Sequence, residues 1–192
     1  MEELDIEFTR SLRTSAEAYF KLGFNLTGIK DYKKAPYHKW KEFLQRRQKE
    51  GEALNHEWYT LTGIGAITGI NSLFCLDFDE CDQSNIARFL QMLGLPMDYN
   101  WVVISGSGKG FHIWFSSFQL ENERTKLGGG VVVYQPKEAG LLKQIELRIN
   151  QHVVLPPSKS QTGQYRFLNP NDLTMRPIEL NYDADALGTT ID

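Results

Sequence analysis

The sequence predicts an α+β domain in which an N-terminal helical portion leads into a mostly antiparallel sheet with helices on one face. Three observations support this fold class. Apolar residues recur at helical spacing near the N-terminus, short β-rich runs follow Gly63, and one helical pattern interrupts those runs. The chain has 192 residues, which suits a single domain or a domain with two lobes.

Two helices and a short strand are predicted in the N-terminal portion. The first helix spans residues 3–22 and stops at Gly23, because glycine commonly ends helices. An apolar stretch at 24–26 predicts a strand, and a second amphipathic helix is predicted over residues 38–49. The side chains that we expect this second helix to turn inward are Trp40, Phe43 and Leu44.

Short apolar and aromatic runs dominate the chain after Gly63. One helix is predicted among them, over residues 84–93, because Gly94 and Pro96 end its pattern. The sequence after residue 170 gives only weak signals. We expect strands over residues 63–67, 73–79, 101–104, 112–115, 131–134, 144–149, 152–155 and 165–168.

Composition excludes several classes of protein. The sequence is 12% aromatic and has no low-complexity run, which excludes intrinsic disorder. No stretch approaches the roughly 20 apolar residues that span a bilayer, so we expect a cytoplasmic protein without a membrane partner. Cys75 and Cys81 are too few for a disulfide framework or a four-thiolate zinc site. The net charge of −3 by itself points away from nucleic acid.

Asp77 and Asp79 are the first candidate site residues. They lie two apart on the predicted strand 73–79, so both carboxylates project from the same face. Two like charges in this arrangement repel unless a cation lies between them, and hard oxygen ligands suit magnesium or manganese. The alternative is that the strand ends at Leu76 and the acids belong to a solvated turn.

Glu146 is the third candidate acid. It shares the polar face of the predicted strand 144–149 with Arg148. If that strand is an antiparallel neighbour of 73–79, Glu146 lies beside the two aspartates. Three carboxylates on one face can hold two metal ions that clamp a transferring phosphoryl group. The alternative is a surface strand in which Glu146 forms a cross-strand ion pair.

A glycine-rich loop separates two predicted strands at residues 105–112. It is not a phosphate-binding P-loop, because Gly110 replaces the Ser or Thr that follows the lysine and a strand follows instead of a helix. The backbone amides, Ser107 and Lys109 can still cradle a phosphate, and His112 begins the returning strand. The alternative is a flexible hairpin with a buried structural histidine.

Taken in order, these blocks resemble the primase–polymerase (prim-pol) domain of the archaeo-eukaryotic primase superfamily. The resemblance spans residues 19–167, and Glu146 departs from it because the family usually carries Asp there. The matching segments are Lys34-Ala35-Pro36 with Trp40, Thr68-Gly69, Asp77-Phe78-Asp79, Ser105–His112, Glu146, Leu155–Ser158, Thr162-Gly163 and Tyr165.

The resemblance implies a template-directed nucleotidyltransferase, a DNA primase and/or DNA polymerase, with an RRM-like antiparallel sheet. By resemblance, Asp77, Asp79 and Glu146 are catalytic and bind two Mg²⁺ or Mn²⁺ ions. Residues 1–170 would form the catalytic domain, with a helical portion at 1–60 and the sheet at 61–170, and 171–192 would be a C-terminal extension. The implied nucleotide-binding residues are Ser107, Lys109, His112, Arg148 and Lys159.

The implied partners are a single-stranded DNA template, a primer strand and nucleoside triphosphates. Another domain or chain would supply any helicase or other replication or CRISPR-associated partner. Lys109, Arg148, Lys159 and Arg166 would form a basic rim that the net charge hides, and template binding would be weak and dependent on salt. Two other functions stay open from the residues alone: a metal-dependent nuclease, and a non-catalytic replication-associated module that binds nucleic acid.

Overall fold

Two antiparallel sheets organise the computed structural model, which describes residues 3–136 and 142–191. A two-stranded hairpin accompanies them, so the predicted α+β class is confirmed. The helices in the described ranges are α1 (Glu3–Lys21), α2 (Glu50–Leu54), α3 (Ile86–Met92), α4 (Phe118–Leu127) and α5 (Ala184–Ile191). The strands there are β1 (Asn25–Ile29), β2 (Gly63–Ile67), β3 (Leu73–Asp79), β4 (Val102–Ile104), β5 (Phe111–Ser116), β6 (Val131–Tyr134), β7 (Gln144–Arg148), β8 (His152–Leu155), β9 (Lys159–Ser160), β10 (Gly163–Gln164) and β11 (Arg166–Phe167).

The larger sheet has six strands in the order β11-β4-β5-β3-β7-β6, and every neighbouring pair is antiparallel. Strand β3 lies at its centre, between β5 and β7. On one face, Phe78 stacks on Phe111 of β5 at 4.4 Å between ring centroids and contacts Phe89 of α3 at 4.7 Å. Because side chains alternate along a strand, Asp77 and Asp79 lie on the opposite face.

The smaller sheet has three strands in the order β1-β2-β8. Strands β2 and β3 are consecutive in the chain but belong to different sheets. The two sheets are joined by aromatic packing, because Phe24, directly before β1, stacks on Trp101 at 5.4 Å and meets the edge of Trp114 at 5.4 Å. Trp114 lies on β5 two residues beyond His112, so the small sheet covers one end of the face that carries Asp77.

The residues after 170 pack on the same core. The backbone of Ser116 at the end of β5 exchanges hydrogen bonds with Ile178 and Leu180, each at 2.8 Å. Helix α5 packs against β6 and α3 and buries Leu187 and Ile191. Neither α4 nor α5 was predicted from the sequence. No helix within residues 3–136 or 142–191 is both long enough and apolar enough to cross a membrane.

The predicted helix at 38–49 is wrong. The structure has only a single 3₁₀ turn at Lys41–Leu44, which buries Phe43, and α2 begins later. The side-chain Nδ2 of Asn25 donates to the backbone carbonyls of Phe43 and Arg46, each at 2.8 Å. In a helix these carbonyls would accept hydrogen bonds from the helix backbone instead. Gln48 also leaves the helical pattern, since its side chain donates to Leu26 O at 2.8 Å and accepts from Leu26 N.

Asn25 is therefore expected to stabilise the whole segment between β1 and α2. Its side chain is 1% exposed, and Asn25→Ala removes both donated bonds and leaves Gln48 N without its acceptor at 2.9 Å. We expect a loss of about 2–4 kcal/mol in the free energy of unfolding, because buried polar groups left unpaired each cost about 1–3 kcal/mol. Urea denaturation measures this change. The control Asn122→Ala, at an exposed position on α4, should change stability by less than about 0.5 kcal/mol. Equal losses in the two variants would contradict the role of Asn25.

Candidate active site

Asp77 lies at the centre of a row of three polar side chains. On one side it is directly opposite His112 of β5, and on the other side directly opposite Glu146 of β7. Residues directly opposite in an antiparallel pair point to the same face, with their Cβ atoms about 4.5–5.5 Å apart. The side chains of Asp77 and Glu146 are only 13% and 15% exposed. The strand order thus places two half-buried carboxylates side by side on one sheet face.

Arg148 lies between these two acids. Its Nε donates to Asp77 Oδ2 at 3.0 Å, and its Nη1 lies 3.3 Å from Glu146 Oε1 and donates to Gln151 Oε1 at 2.8 Å. Although burial opposes it, the carboxylates of Asp77 and Glu146 raise the pKa of Arg148. The ion pair that crosses strands is the one between Arg148 and Asp77, whereas Glu146 pairs with Arg148 within its own strand. The guanidinium compensates the negative charge of this face.

Asp79 is the last residue of β3, and the next residue, Glu80, has a φ of 52°. It is opposite Gln144, whose Nε2 is 3.4 Å from Asp79 Oδ2. Asp79 therefore belongs to the strand rather than to a solvated turn. Within the described ranges, no three His, Cys, Asp or Glu side chains are close enough together to hold a metal ion.

His112 is buried beside Asp77. It is 6% exposed, and its Nε2 is 3.5 Å from Asp77 Oδ1, while its Nδ1 has no hydrogen-bond partner within the described part of the chain. Burial lowers the pKa of His112, and Asp77 only partly opposes this. The ring of Tyr165 lies 6.0 Å away, and burial together with Asp77 raises the pKa of Tyr165 to about 12. Both side chains are therefore uncharged near neutral pH.

The glycine-rich loop forms a tight hairpin turn between β4 and β5. Ser105 N donates to Gly110 O at 3.0 Å, and Gly108 N donates to Ser105 O at 2.9 Å. A second hairpin, β9–β10, supports this loop so closely that a Cβ on Gly106 would collide with Ser160 Oγ and approach Gly163 O. The predicted strand–loop–strand arrangement is confirmed.

A cavity of about 920 Å³ opens over this face. The predicted site residues among its lining are Asp77, Asp79, Ser107, Lys109, His112 and Arg148. Its other walls include residues that were not among the predicted site residues. Among them are Lys33, Lys34, Trp40, Gln151, His152 and Tyr165. Lys34, Trp40 and Tyr165 belong to segments quoted for the resemblance, and paired lysines before a proline in an acidic chain are a signal that would have selected Lys33.

Lys159 lies away from this cavity. Its Nζ is 4.0 Å from the ring centroid of Phe8 on α1, and its backbone N donates to Thr62 O at 2.8 Å. Arg166, the other distant cation of the predicted basic rim, is exposed on β11 and does not line the cavity either. Lys33 and Lys34 supply positive charge to the rim instead.

Gly130, just before β6, lies against the carboxylate of Glu146. A Cβ at Gly130 would collide with Glu146 Oε1, whereas one at Gly129 would meet its nearest atom, Gln151 Nε2, at an ordinary 3.7 Å. The orientation of Glu146 therefore depends on a glycine at position 130.

Comparison with protein-family models identified a match. The family model described as "Bifunctional DNA primase/polymerase, N-terminal" matches residues 16–181, which is most of the chain. No curated protein matches the sequence.

The geometry predicts a strong coupling between Asp77 and Arg148. Their side chains are 13% and 26% exposed, so water screens this pair less than a surface pair. In a double-mutant cycle with Asp77→Ala and Arg148→Ala, we expect a coupling free energy of about 1–3 kcal/mol, measured by urea denaturation. Arg148→Ala should be the more destabilising single change, because it leaves Asp77 and Glu146 facing each other without a cation.

The control cycle uses Arg13 and Glu17 on α1, an ion pair at 3.1 Å with side chains that are 67% and 43% exposed. An exposed pair of this spacing contributes only about 0.3–0.5 kcal/mol. A coupling between Asp77 and Arg148 no larger than this would show that Arg148 does not compensate the acids.

Proposed function

Because the chain belongs to the Prim-Pol family of bifunctional DNA primase/polymerases, we propose that it is a template-directed nucleotidyltransferase. It would add nucleotides to a 3′-hydroxyl with release of pyrophosphate. The observation that carries this proposal is the row of His112, Asp77 and Glu146 on one sheet face. Asp77 and His112 of this row line a cavity of about 920 Å³, and Glu146 lies beside Asp77 without lining it. The same cavity presents cationic groups for a triphosphate, among them Lys34 and Lys109.

Asp77, Asp79 and Glu146 are the residues that would hold divalent cations, on which Prim-Pol domains generally depend. Their chemistry fits, since carboxylate oxygens are the donors that Mg²⁺ and Mn²⁺ prefer, and Asp77 and Glu146 already share one cation, the guanidinium of Arg148. When bound, two such ions would lower the pKa of the attacking hydroxyl and would stabilise the leaving pyrophosphate.

The loop between β4 and β5 would bind the triphosphate. Its turn is held by Ser105 and Gly108, so its position is set before the nucleotide arrives. The Nζ of Lys109 and the hydroxyl of Ser107 can contact phosphate oxygens, and His112, uncharged, can add a hydrogen bond without adding charge. Arg148 can exchange its carboxylate partners for phosphate, because a guanidinium binds both with paired hydrogen bonds.

The expected substrates and the expected cellular location also remain proposals. The single-stranded DNA template, the primer strand and the nucleoside triphosphates follow from the proposed reaction, and the cytoplasmic location stays a prediction from the sequence. We do not propose a nucleotide contact for Lys159, because its ammonium packs on Phe8 outside the cavity.

Removing the charge of both aspartates should abolish the reaction. For Asp77→Asn with Asp79→Asn we expect nucleotide incorporation to fall by at least about a hundredfold, since these groups would organise the charge that stabilises the transition state. The measurement is incorporation of labelled nucleotides with Mg²⁺ or Mn²⁺, on primed and on unprimed single-stranded templates. The control Asp98→Asn changes an exposed acid that does not line the cavity and should keep full activity.

Two outcomes of this assay would contradict the proposal. Normal incorporation by the double variant would exclude the proposed role of the aspartates. Degradation of the template strand by the native protein, without incorporation, would indicate a nuclease instead.

A pair of neighbouring glycines tests Glu146 without changing an acid. Gly130→Ala should lower incorporation by about tenfold or more, because the new methyl group displaces the carboxylate of Glu146. Gly129→Ala adds the same atoms where there is room and should leave incorporation nearly unchanged. Thermal unfolding should show similar midpoints for both variants. Equal activity in the two would argue that the position of Glu146 does not matter for the reaction.

A further inference from the structure

The segment that follows β1 and continues into the 3₁₀ turn has a charge unlike that of the rest of the chain. This lysine segment, residues 30–42, holds five lysines against two acids, whereas the whole chain has 21 Lys and Arg against 24 Asp and Glu. The lysines are Lys30, Lys33, Lys34, Lys39 and Lys41. Positive charge is thus concentrated in one short stretch of an acidic protein.

Most of this charge has no acidic partner. Lys33 lies 3.8 Å from the exposed Asp31, and the second acid of the segment, Glu42, pairs with Arg46 at 3.3 Å instead. In the described part of the chain, no ion pair involves Lys34, Lys39 or Lys41, all of which are exposed. These ammonium groups are therefore available to an anion from outside.

Aromatic rings lie among the lysines. Tyr32 and Tyr37 are 49% and 42% exposed. A second cavity of about 650 Å³ is lined by consecutive residues of the segment, from Pro36 to Glu42. Trp40 lines both this cavity and the active-site cavity, so its ring forms part of the wall between them. A ligand lying along the lysine segment would lead directly to Asp77.

Contacts from distant parts of the chain hold the segment in place. Tyr37 N donates to Gly28 O at 3.2 Å, and Gly28 permits the ring of Tyr37 to lie against β1, because a Cβ there would collide with that ring. The Tyr37 hydroxyl is 3.0 Å from His56 Nδ1. His152 of β8 bonds Lys34 O at 2.6 Å and packs against Trp40. A surface ordered before binding loses less entropy when a ligand arrives.

We infer that the lysine segment is the surface along which single-stranded DNA runs into the active-site cavity. Lys34, Lys39 and Lys41 would contact phosphates, and bases would stack on Trp40 and Tyr37. Exposed rings favour a single strand, because its bases present free faces for stacking, while duplex bases are already stacked. The assignment of this strand as the template rests on the proposed function, but its binding can be measured without any nucleotide incorporation.

The first test reverses charge on the segment. Binding of a labelled oligothymidylate is followed by fluorescence anisotropy in EDTA, over a series of salt concentrations. For Lys39→Glu with Lys41→Glu we expect at least tenfold weaker binding, and a slope of log K against log salt that is smaller by about 1.4, since each phosphate contact of a single strand contributes about 0.7. The matched control is Arg88→Glu with Lys126→Glu, which changes the net charge equally at exposed positions that line neither cavity. It should bind within about twofold of the native protein.

The second test separates stacking from charge. Trp40→Ala should weaken binding by about fivefold or more without changing the salt slope, because stacking of a base on an aromatic ring carries no counterion release. Trp40→Phe keeps an aromatic face and should restore most of the affinity. Circular dichroism and thermal midpoints establish that each variant is folded.

Three outcomes would overturn the inference. These are equal loss of binding in the two charge-reversed variants, equal affinity of the native protein for duplex and single strand, and competition by polyglutamate as effective as competition by DNA. None of them depends on catalysis. If binding follows the expected pattern while the Asp77 and Asp79 double variant still incorporates nucleotides, the proposed mechanism fails and the binding surface stands.

Discussion

Negative charge on one face of the central strand is the constraint on which the candidate site depends. The register of β3 with both neighbours leaves Asp77 no alternative to lying beside Glu146, because directly opposite residues share a face. Two half-buried carboxylates in this position require a cation, and Arg148 supplies one from the same strand as Glu146. A face of this kind suits a protein that binds cations and phosphates in turn, since both can exchange with the groups already present.

The two sheets divide this face into a covered end and an open end. Phe24, directly before the first strand of the smaller sheet, packs against Trp114, two residues along β5 from His112, and so closes one end with aromatic contacts. At the other end, residues of the lysine segment and of the loop between β4 and β5 line a cavity. The fold therefore excludes water where the sheets meet and leaves space at the end where Asp77 and Asp79 lie.

Local patterns in the sequence were sufficient for the strands and for part of the site. The predicted strands at 63–67 and 73–79 were confirmed, because a short apolar run near a glycine turn indicates a strand without information from distant parts of the chain. The pairing of Asp77 with Glu146 followed from alternation once the two strands were neighbours. The predicted helix at 38–49 was wrong because Asn25 and Gln48 redirect the backbone through contacts that span 18 to 23 positions of the chain. No periodicity within 38–49 could have revealed these contacts.

The difference between local patterns and long-range contacts also explains which cations of the site could be predicted from the sequence. Lys109 belongs to a loop whose turn is formed by hydrogen bonds within the loop itself. Its position near His112 could therefore be predicted from the local sequence. Lys34 reaches the cavity through the bond from His152 to its carbonyl, 118 positions away, and Lys159 leaves it for Phe8 on the first helix. The net charge of the chain does not reveal this positive surface either, because it sums the acids of the sheet with the lysines beside them. The relevant quantity for the inferred DNA strand is the electrostatic field along its path. That path would pass lysines that have no acidic partner among the described residues before it reaches the carboxylates.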